Sequence, residues 1–146
     1  MQNKISTFLW FDHGADDAAK LYCSIFPISK ITASSAMSTT FEIEDQRFIA
    51  FNGGPHYKLN PAVSLFVSCN TQDEVDGLWN RFIDAGGKAS KCGWLVDGFG
   101  LSWQIIPRQL MELMSDPDPV KSQRVVQAML GMQKLDIAAL ERAHRG

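Results

Sequence analysis

The segment 92–107, CGWLVDGFGLSWQIIP, concentrates side chains that can bind an organic molecule. Two short apolar runs, each carrying a tryptophan, are joined by a glycine-containing turn. Trp103 and Gln104 are consecutive in a predicted strand and therefore point to opposite faces. We interpret Trp103 as a core residue, because large aromatic side chains mostly serve packing, and Gln104 as the pocket candidate. Trp94 and Cys92 share a face that suits either role.

Three further residues have chemically active side chains, and each also has a simpler structural interpretation. Cys92 would need a nearby base or helix N-terminus to become a nucleophile, and a buried, inert thiol is the commoner case. His56 lies in a glycine-rich loop, 52–61, that can form a lid or simply expose the histidine to solvent. Asp12 either caps the first helix or acts on a substrate. The sequence therefore assigns no catalytic residue and leaves His56 and Asp12 as weak candidates.

Composition limits the classes of partner and compartment. Apolar residues make up 45% of the 146 residues and charged residues 21%, and the formal charge is −2 with scattered basic residues. These values argue against a nucleic-acid partner, which would select a basic stripe. The three cysteines favour a reduced compartment, and neither a signal peptide nor a membrane span is recognisable. We expect a cytoplasmic protein without a membrane partner.

Hydrophobic patterning predicts an α+β chain of eight short strands and five helices. Pro27 ends the first helix, and Thr71 with Glu74 forms a capping box for the second. The tail is predicted to be helical, with one helix over 107–114, another beginning at Asp118-Pro119 and a last one capped by Asp136. Its apolar faces must cover either their own sheet or a neighbouring subunit. The predicted strands are 5–11, 30–35, 38–43, 47–52, 62–69, 88–90, 92–96 and 101–106.

The two halves of the chain repeat the same order of elements. Leu21 and Tyr22 of the first helix precede Leu78 and Trp79 of the second by 57 positions. Each half reads as strand, helix and three strands. We therefore predict one domain over 1–146, built from βαβββ modules at 1–54 and 62–107 and a helical tail at 108–146. Paired sheets of this kind curl around a cavity.

A set of short motifs then points to a family. The set consists of Phe11-Asp12, Phe26-Pro27, Asn52-Gly53-Gly54-Pro55, Cys92-Gly93-Trp94 with Asp97, Gly100-Leu101-Ser102-Trp103-Gln104 and Ser115-Asp116-Pro117-Asp118-Pro119. It resembles the PhnB-like branch of the vicinal-oxygen-chelate (glyoxalase/bleomycin-resistance) superfamily, often called "3-demethylubiquinone-9 3-methyltransferase". The resemblance extends over nearly the whole chain, including the tail, and implies paired βαβββ modules in a homodimer. The turn after the first strand, with one glycine, lacks the glycine-rich pattern of a typical S-adenosylmethionine site.

The resemblance also implies where a metal ion would bind. Metal-dependent members use histidine or glutamate at positions that correspond here to Thr7, Asn52, Ser64 and Gln104. Neutral hydroxyls and amides are poor ligands for zinc, nickel or iron, so we expect neither a metal ion nor another cofactor.

The main hypothesis is thus a metal-free protein that binds a small molecule in a partly aromatic cavity. The alternative is an enzyme of the same superfamily, of the metal-dependent lyase, dioxygenase or isomerase type. The candidate ligand-binding residues are Gln104, Asn52, Ser64, Thr7, Phe11, Phe51, Phe66, Trp94 and Cys92.

Overall fold

The computed structural model describes residues 3–146 and divides them into two compact units, which meet in sequence between Asn60 and Pro61. The first unit contains β1 (Thr7–Phe11), α1 (Ala15–Ile25), β2 (Ser29–Ser34), β3 (Ser38–Ile43) and β4 (Gln46–Asn52). The second contains β5 (Ser64–Cys69), α2 (Gln72–Asp84), β6 (Lys88–Ala89), β7 (Trp94–Val96) and β8 (Ser102–Pro107). Its tail adds α3 (Arg108–Met114), α4 (Pro119–Leu130) and α5 (Ile137–Arg145).

Both units have the same sheet topology, which confirms the predicted α+β fold and the βαβββ repeat. The strand orders are β1-β4-β3-β2 and β5-β8-β7-β6. In each unit the strands that come first and last along the chain, β1 with β4 and β5 with β8, pair in parallel. The remaining pairs are antiparallel. A parallel pair needs a crossover, and the helix that follows the first strand begins it. Over residues 3–146 the sheets are two open four-stranded sheets rather than one closed barrel.

In the first unit, α1 covers one face of its sheet. Tyr22 of the helix is fully buried, and its ring lies 5.8 Å from that of Phe41, which stacks on Phe48 at 5.1 Å. Leu9 and Phe11 of β1 are buried on this same face, at 3% and 2% exposure. Because side chains alternate along a strand, the residues between them point to the opposite face.

Asp12 does not cap α1, which was one of the two interpretations of this residue. Gly14 occupies the N-cap position in the left-handed conformation (φ 78°), so the N-cap residue has no side chain that could accept a hydrogen bond from the helix. Asn52 does this instead, because its Oδ1 accepts a hydrogen bond from the backbone N–H of Ala15 at 2.9 Å. The glycine turn separates Asp12 from the helix by two residues, and the exposed Asp12 carboxylate lies beside His13.

In the second unit, α2 covers the equivalent face of the second sheet. Thr71 caps the helix as predicted, with its hydroxyl accepting from the Glu74 backbone N–H at 3.2 Å. Phe82 is fully buried and packs on Trp103 of β8 at 4.7 Å between ring centroids. The interpretation of Trp103 as a core residue is therefore confirmed, with 1% of this residue exposed.

The tail packs within the second unit. Ile106, at the end of β8, forms one buried cluster with Leu110, Val125, Leu135 and Leu140 from the three tail helices and the segment between α4 and α5. That segment is also hydrogen-bonded to the stretch before β7: the N–H groups of residues 92 and 93 donate to the carbonyls of residues 132 and 133, at 2.9 and 2.8 Å. The tail therefore covers its own sheet at one end.

The predicted caps of the tail are present. Asp118 accepts from the backbone N–H groups of residues 120 and 121, with Pro119 at the first helical position, and Asp136 accepts from the N–H of Ala139 at 3.1 Å. Across residues 3–146, no helix is both long enough and apolar enough to cross a lipid bilayer.

Candidate functional site

The face of the second sheet that points away from α2 carries most of the predicted binding residues of this unit. Gln104 alternates with the buried Trp103 and therefore lies on this face. In the strand register Phe66 pairs with Gln104 on one side and Trp94 pairs with it on the other. Because paired residues of neighbouring strands share a face, the amide lies between two aromatic side chains. We call this surface the second open face.

A hydrogen bond between side chains fixes the polar part of the second open face. The Nε2 of Gln104 donates to the Oγ of Ser64 at 3.0 Å. Ser64 is half-buried, and Phe66, two residues further along β5, is 51% exposed. Ser64 also pairs in register with Ser102 of β8. The structure thus brings together four predicted residues, Ser64, Phe66, Trp94 and Gln104, and adds Ser102, which the sequence analysis missed.

Ser102 lies within this group, and only 1% of the residue is exposed. Its Oγ has no hydrogen-bond partner among the residues that the structure describes. The signal for it in the sequence was its spacing of two from Gln104, which places both residues on one face of β8.

The corresponding face of the first sheet is lined with aromatic rings. Phe51 lies 5.3 Å from Phe8 and 5.2 Å from Trp10, and Trp10 makes an edge contact with Tyr57 at 5.0 Å. Phe8 is 54% exposed and Tyr57 68% exposed. Of these residues only Phe51 was predicted, although alternation in TFLWF was the signal for Phe8 and Trp10. We call this surface the first open face.

The loop after β4 is held against the first open face. The indole N–H of Trp10 donates to the carbonyl of Gly54 at 3.0 Å. A Cβ on Gly53 would lie 2.2 Å from the indole ring, so only glycine allows this approach. His56 follows in the same loop and is exposed.

Three predicted site residues of the first unit lie elsewhere. Phe11 is buried on the side that faces α1, and Thr7 shares that side because it is separated from Phe11 by an even number of positions. Asn52 uses its Oδ1 for the N–H of Ala15, and its Nδ2 donates to the carbonyl of Ala36 at 3.2 Å. The structure does not bring these residues together with the rings of the first open face.

The cysteines show no arrangement for nucleophilic catalysis. Cys92 is half-buried and has a positive φ of 59°, and its backbone N–H donates to the carbonyl of Met132. Cys69 is fully buried, and burial raises the pKa of its thiol to about 12, with the nearby Glu74 adding to the shift. A thiol with so high a pKa is not a nucleophile at neutral pH.

Comparison with known proteins identifies the family. The family model described as "3-demethylubiquinone-9 3-methyltransferase" matches residues 3–106. The chain belongs to this family. It is similar to a solved structure described as a putative 3-demethylubiquinone-9 3-methyltransferase, PhnB protein, from Bacillus cereus, with 28% identity and a TM-score of 0.66 over 72% of this chain and 99% of that one. No curated protein matches the chain.

Two more distant structures share the fold alone. A glyoxalase/bleomycin resistance protein from Albidiferax ferrireducens is 13% identical, with a TM-score of 0.52 over 69% of this chain and 95% of that one. The fosfomycin resistance protein FosX from Listeria monocytogenes, complexed with Mn(II) and sulfate, is 14% identical, with a TM-score of 0.52 over 70% of this chain and 87% of that one. The chain therefore shares its fold with these two resistance proteins.

The extent of these matches corrects one expectation. The resemblance was expected to include the helical tail, but the family model ends at residue 106. The Bacillus cereus structure is matched almost completely by only 72% of this chain. The tail is therefore additional to the part of the chain that the family model describes.

The fosfomycin resistance protein has Mn(II) bound in a related fold, whereas the residues present here do not fit such an ion. Of the four corresponding positions, Thr7 and Asn52 lie on the helix-facing side of the first sheet, and the Asn52 oxygen already accepts a hydrogen bond. Ser64 and Gln104 are neutral and bonded to each other. Within residues 3–146 no group of three histidine, cysteine or acidic side chains is placed to hold a metal ion. Hydroxyl and amide groups without a carboxylate or imidazole bind such ions poorly.

Among residues 3–146, the arrangement typical of an S-adenosylmethionine site is not present. The typical site of that cofactor lies at the carboxyl ends of a doubly wound parallel sheet, where a helix N-terminus is free. Here each sheet has only one parallel pair, and the first N–H of α1 is bonded to Asn52.

Proposed function

We propose that the protein binds a small organic molecule on the second open face without the help of a metal ion. The hydrogen bond between Gln104 and Ser64, set between Phe66 and Trp94, is the observation that carries this proposal. Ligand pockets are mostly apolar and contain a few fixed polar groups that orient the ligand. Gln104 and Ser64 supply the polar groups, and the two aromatic side chains supply apolar contact area.

The alternative function, a metal-dependent lyase, dioxygenase or isomerase, would need a Lewis acid that these side chains are poorly suited to hold. Acid–base chemistry by His56 or Asp12 has little structural support, because both residues are exposed to solvent. Binding without turnover is the function that the residues of the second open face favour.

We further propose a cytoplasmic homodimer. The exposed aromatic side chains Phe8 and Tyr57 support an assembly, since a second subunit would remove them from water. The three cysteines are free thiols, in keeping with a reducing compartment. The net charge of −2 offers no attraction for nucleic acid.

Native mass spectrometry of protein purified without chelator or affinity-tag metal tests the proposal. The expected species is a dimer without a stoichiometric metal ion that carries an additional organic mass. The Gln104→Leu variant should lose that mass, whereas Gln46→Leu, which removes an exposed glutamine from a hairpin of the first sheet, should retain it. One metal ion per subunit, or no organic mass on the wild-type protein, would overturn the proposal.

A further inference from the structure

The Ser102 hydroxyl is the most unusual polar group of the second open face. It is buried, with 1% of the residue exposed, and it lacks a hydrogen-bond partner among the described residues. A buried hydroxyl without a partner destabilises a protein, because its hydrogen bonds to water are lost and not replaced. Its strand neighbours are Ser64 on one side and Val96 on the other.

The neighbouring polar groups leave complementary capacity for a ligand. Gln104 uses Nε2 to donate to Ser64, which leaves its Oε1 as an acceptor. Ser102 can donate through its hydroxyl, and this donor lies two residues from Gln104 on the same strand face. That spacing is roughly 7 Å between Cα atoms, the width of one substituted ring. A ligand with one acceptor and one donor on a ring would satisfy both groups.

Charge and burial restrict the chemistry of that ligand. On this face of β5, β7 and β8 every side chain is neutral. The charged residue in the same row is Lys88 of β6, which pairs with Val96, is exposed, and lies about 10 Å from Ser102 across two strand spacings. A carboxylate placed at Ser102 would be buried without a nearby cation, at a large desolvation cost. Neighbouring side chains cover the Ser102 hydroxyl, so a ligand oxygen reaches it only after one of them moves aside.

We propose that the ligand is a neutral, planar ring compound with a carbonyl oxygen and an N–H or O–H group on the ring. The carbonyl accepts from the Ser102 hydroxyl, the N–H or O–H donates to the Gln104 Oε1, and the ring packs between Phe66 and Trp94. Cyclic amides and hydroxyl-bearing cyclic ketones have this chemistry. This inference rests on the proposed function and specifies the class of ligand for the same surface.

Three probes with a bicyclic ring of the same size separate the possibilities: 4-quinolinone, with a carbonyl and an N–H, quinoline, with neither, and 1-naphthoate, an anion. Calorimetric titration of the full-length protein should show 4-quinolinone binding about tenfold more tightly than the other two, as expected for two additional hydrogen bonds. Equal or tighter binding of quinoline or 1-naphthoate would overturn the ligand class.

The Ser102→Ala variant gives a test with two readouts of opposite sign. Removal of an unpartnered buried hydroxyl should raise the melting temperature of the free protein, while the affinity for 4-quinolinone should fall about five- to tenfold. Ser68→Ala, which removes an exposed serine from the same face of β5, should change neither value. A lower melting temperature for Ser102→Ala would show that the hydroxyl is structural and would refute the inference.

The outcomes also separate this inference from the proposed function. If the wild-type protein retains an organic mass that Gln104→Leu loses, but does not bind 4-quinolinone, the ligand class is wrong and the binding surface remains. If no organic mass is retained and no probe binds, both proposals fail.

Discussion

Replacement of Asp97 by alanine should destabilise the second unit far more than is usual for a residue in a turn. Asp97 follows β7 and is only 4% exposed. One carboxylate oxygen accepts from the backbone N–H groups of Phe99 and Leu101, at 2.8 and 3.0 Å, and the other accepts from the indole N–H of Trp103 at 2.9 Å. The carboxylate therefore shapes the turn before β8 and holds the main aromatic residue of the core.

The magnitude follows from the donors that lose their acceptor. A hydrogen bond to a charged group contributes about 1.5–3 kcal/mol, and a buried donor left alone costs a similar amount. Phe99 is half-buried, so water can replace its acceptor, whereas Leu101 and Trp103 are each 1% exposed. Counting only these two donors gives a loss of about 3–6 kcal/mol for Asp97→Ala. A typical domain has a free energy of unfolding of about 5–15 kcal/mol.

Urea unfolding followed by tryptophan fluorescence measures this loss. Asp97→Asn should be less harmful, because its amide oxygen still accepts from the two backbone N–H groups. Its NH₂ group, however, faces the Trp103 indole N–H, so two donors oppose each other and this hydrogen bond is lost. Trp103→Phe should therefore cost less in the Asp97→Asn background than in the wild type. Asp45→Ala, in an exposed hairpin turn, should change the free energy of unfolding by less than about 0.5 kcal/mol. A loss below about 1 kcal/mol for Asp97→Ala would refute the reasoning.

Three further outcomes are expected. Gly93→Ala and Gly100→Ala both place alanine at a positive φ. Only at Gly93 would the new Cβ lie 2.9 Å from a carbonyl oxygen and two methyl groups. Urea unfolding should therefore show that Gly93→Ala loses about 1–3 kcal/mol more of the free energy of unfolding than Gly100→Ala. The Asp118 backbone N–H lowers the pKa of Asp116 below its ordinary 3.8. The stabilisation that the ionised Asp116 gives the folded protein is therefore present above that pH and is lost as the pH falls through the lowered pKa. The urea midpoints of the wild type and Asp116→Ala should differ at pH 7 and converge in acid. Cys69, whose pKa is raised to about 12, should resist iodoacetamide at pH 8 in the folded protein and react only after denaturation, as measured by intact mass.

The sequence predicted the elements well because their signals are local. The strand at 38–43 has the observed bounds, Ser29–Ser34 is shifted by one residue from the predicted 30–35, and Gln46–Asn52 begins one residue before the predicted 47–52. The caps at Thr71, Asp118 and Asp136 were also predictable, because a capping side chain bonds to an amide only two or three residues away.

The candidate site was harder to predict because it depends on contacts between distant residues. Asn52 was assigned to the pocket, but its amide bonds to Ala15, 37 positions earlier, and no local pattern reveals such a contact. The offset of 57 positions between the two helices aligns Thr7 with Ser64 in the sequence. An error of a single residue in such an alignment moves a side chain to the other face of a strand. This is why Phe8 and Trp10, and not Thr7, line the first open face.

The comparison of the two units shows which parts of a repeated module are restricted by folding. On each helix-facing side an aromatic residue of the helix packs on an aromatic residue of the sheet, Tyr22 on Phe41 in one unit and Phe82 on Trp103 in the other. A close-packed core tolerates few changes of shape. The open faces differ: the first carries rings in mutual contact, and the second carries Ser64 and an amide between two aromatic side chains. Because packing against the helix does not determine these outer residues, their chemistry is free to follow the ligand. The difference between the open faces is therefore better evidence of function than the shared fold.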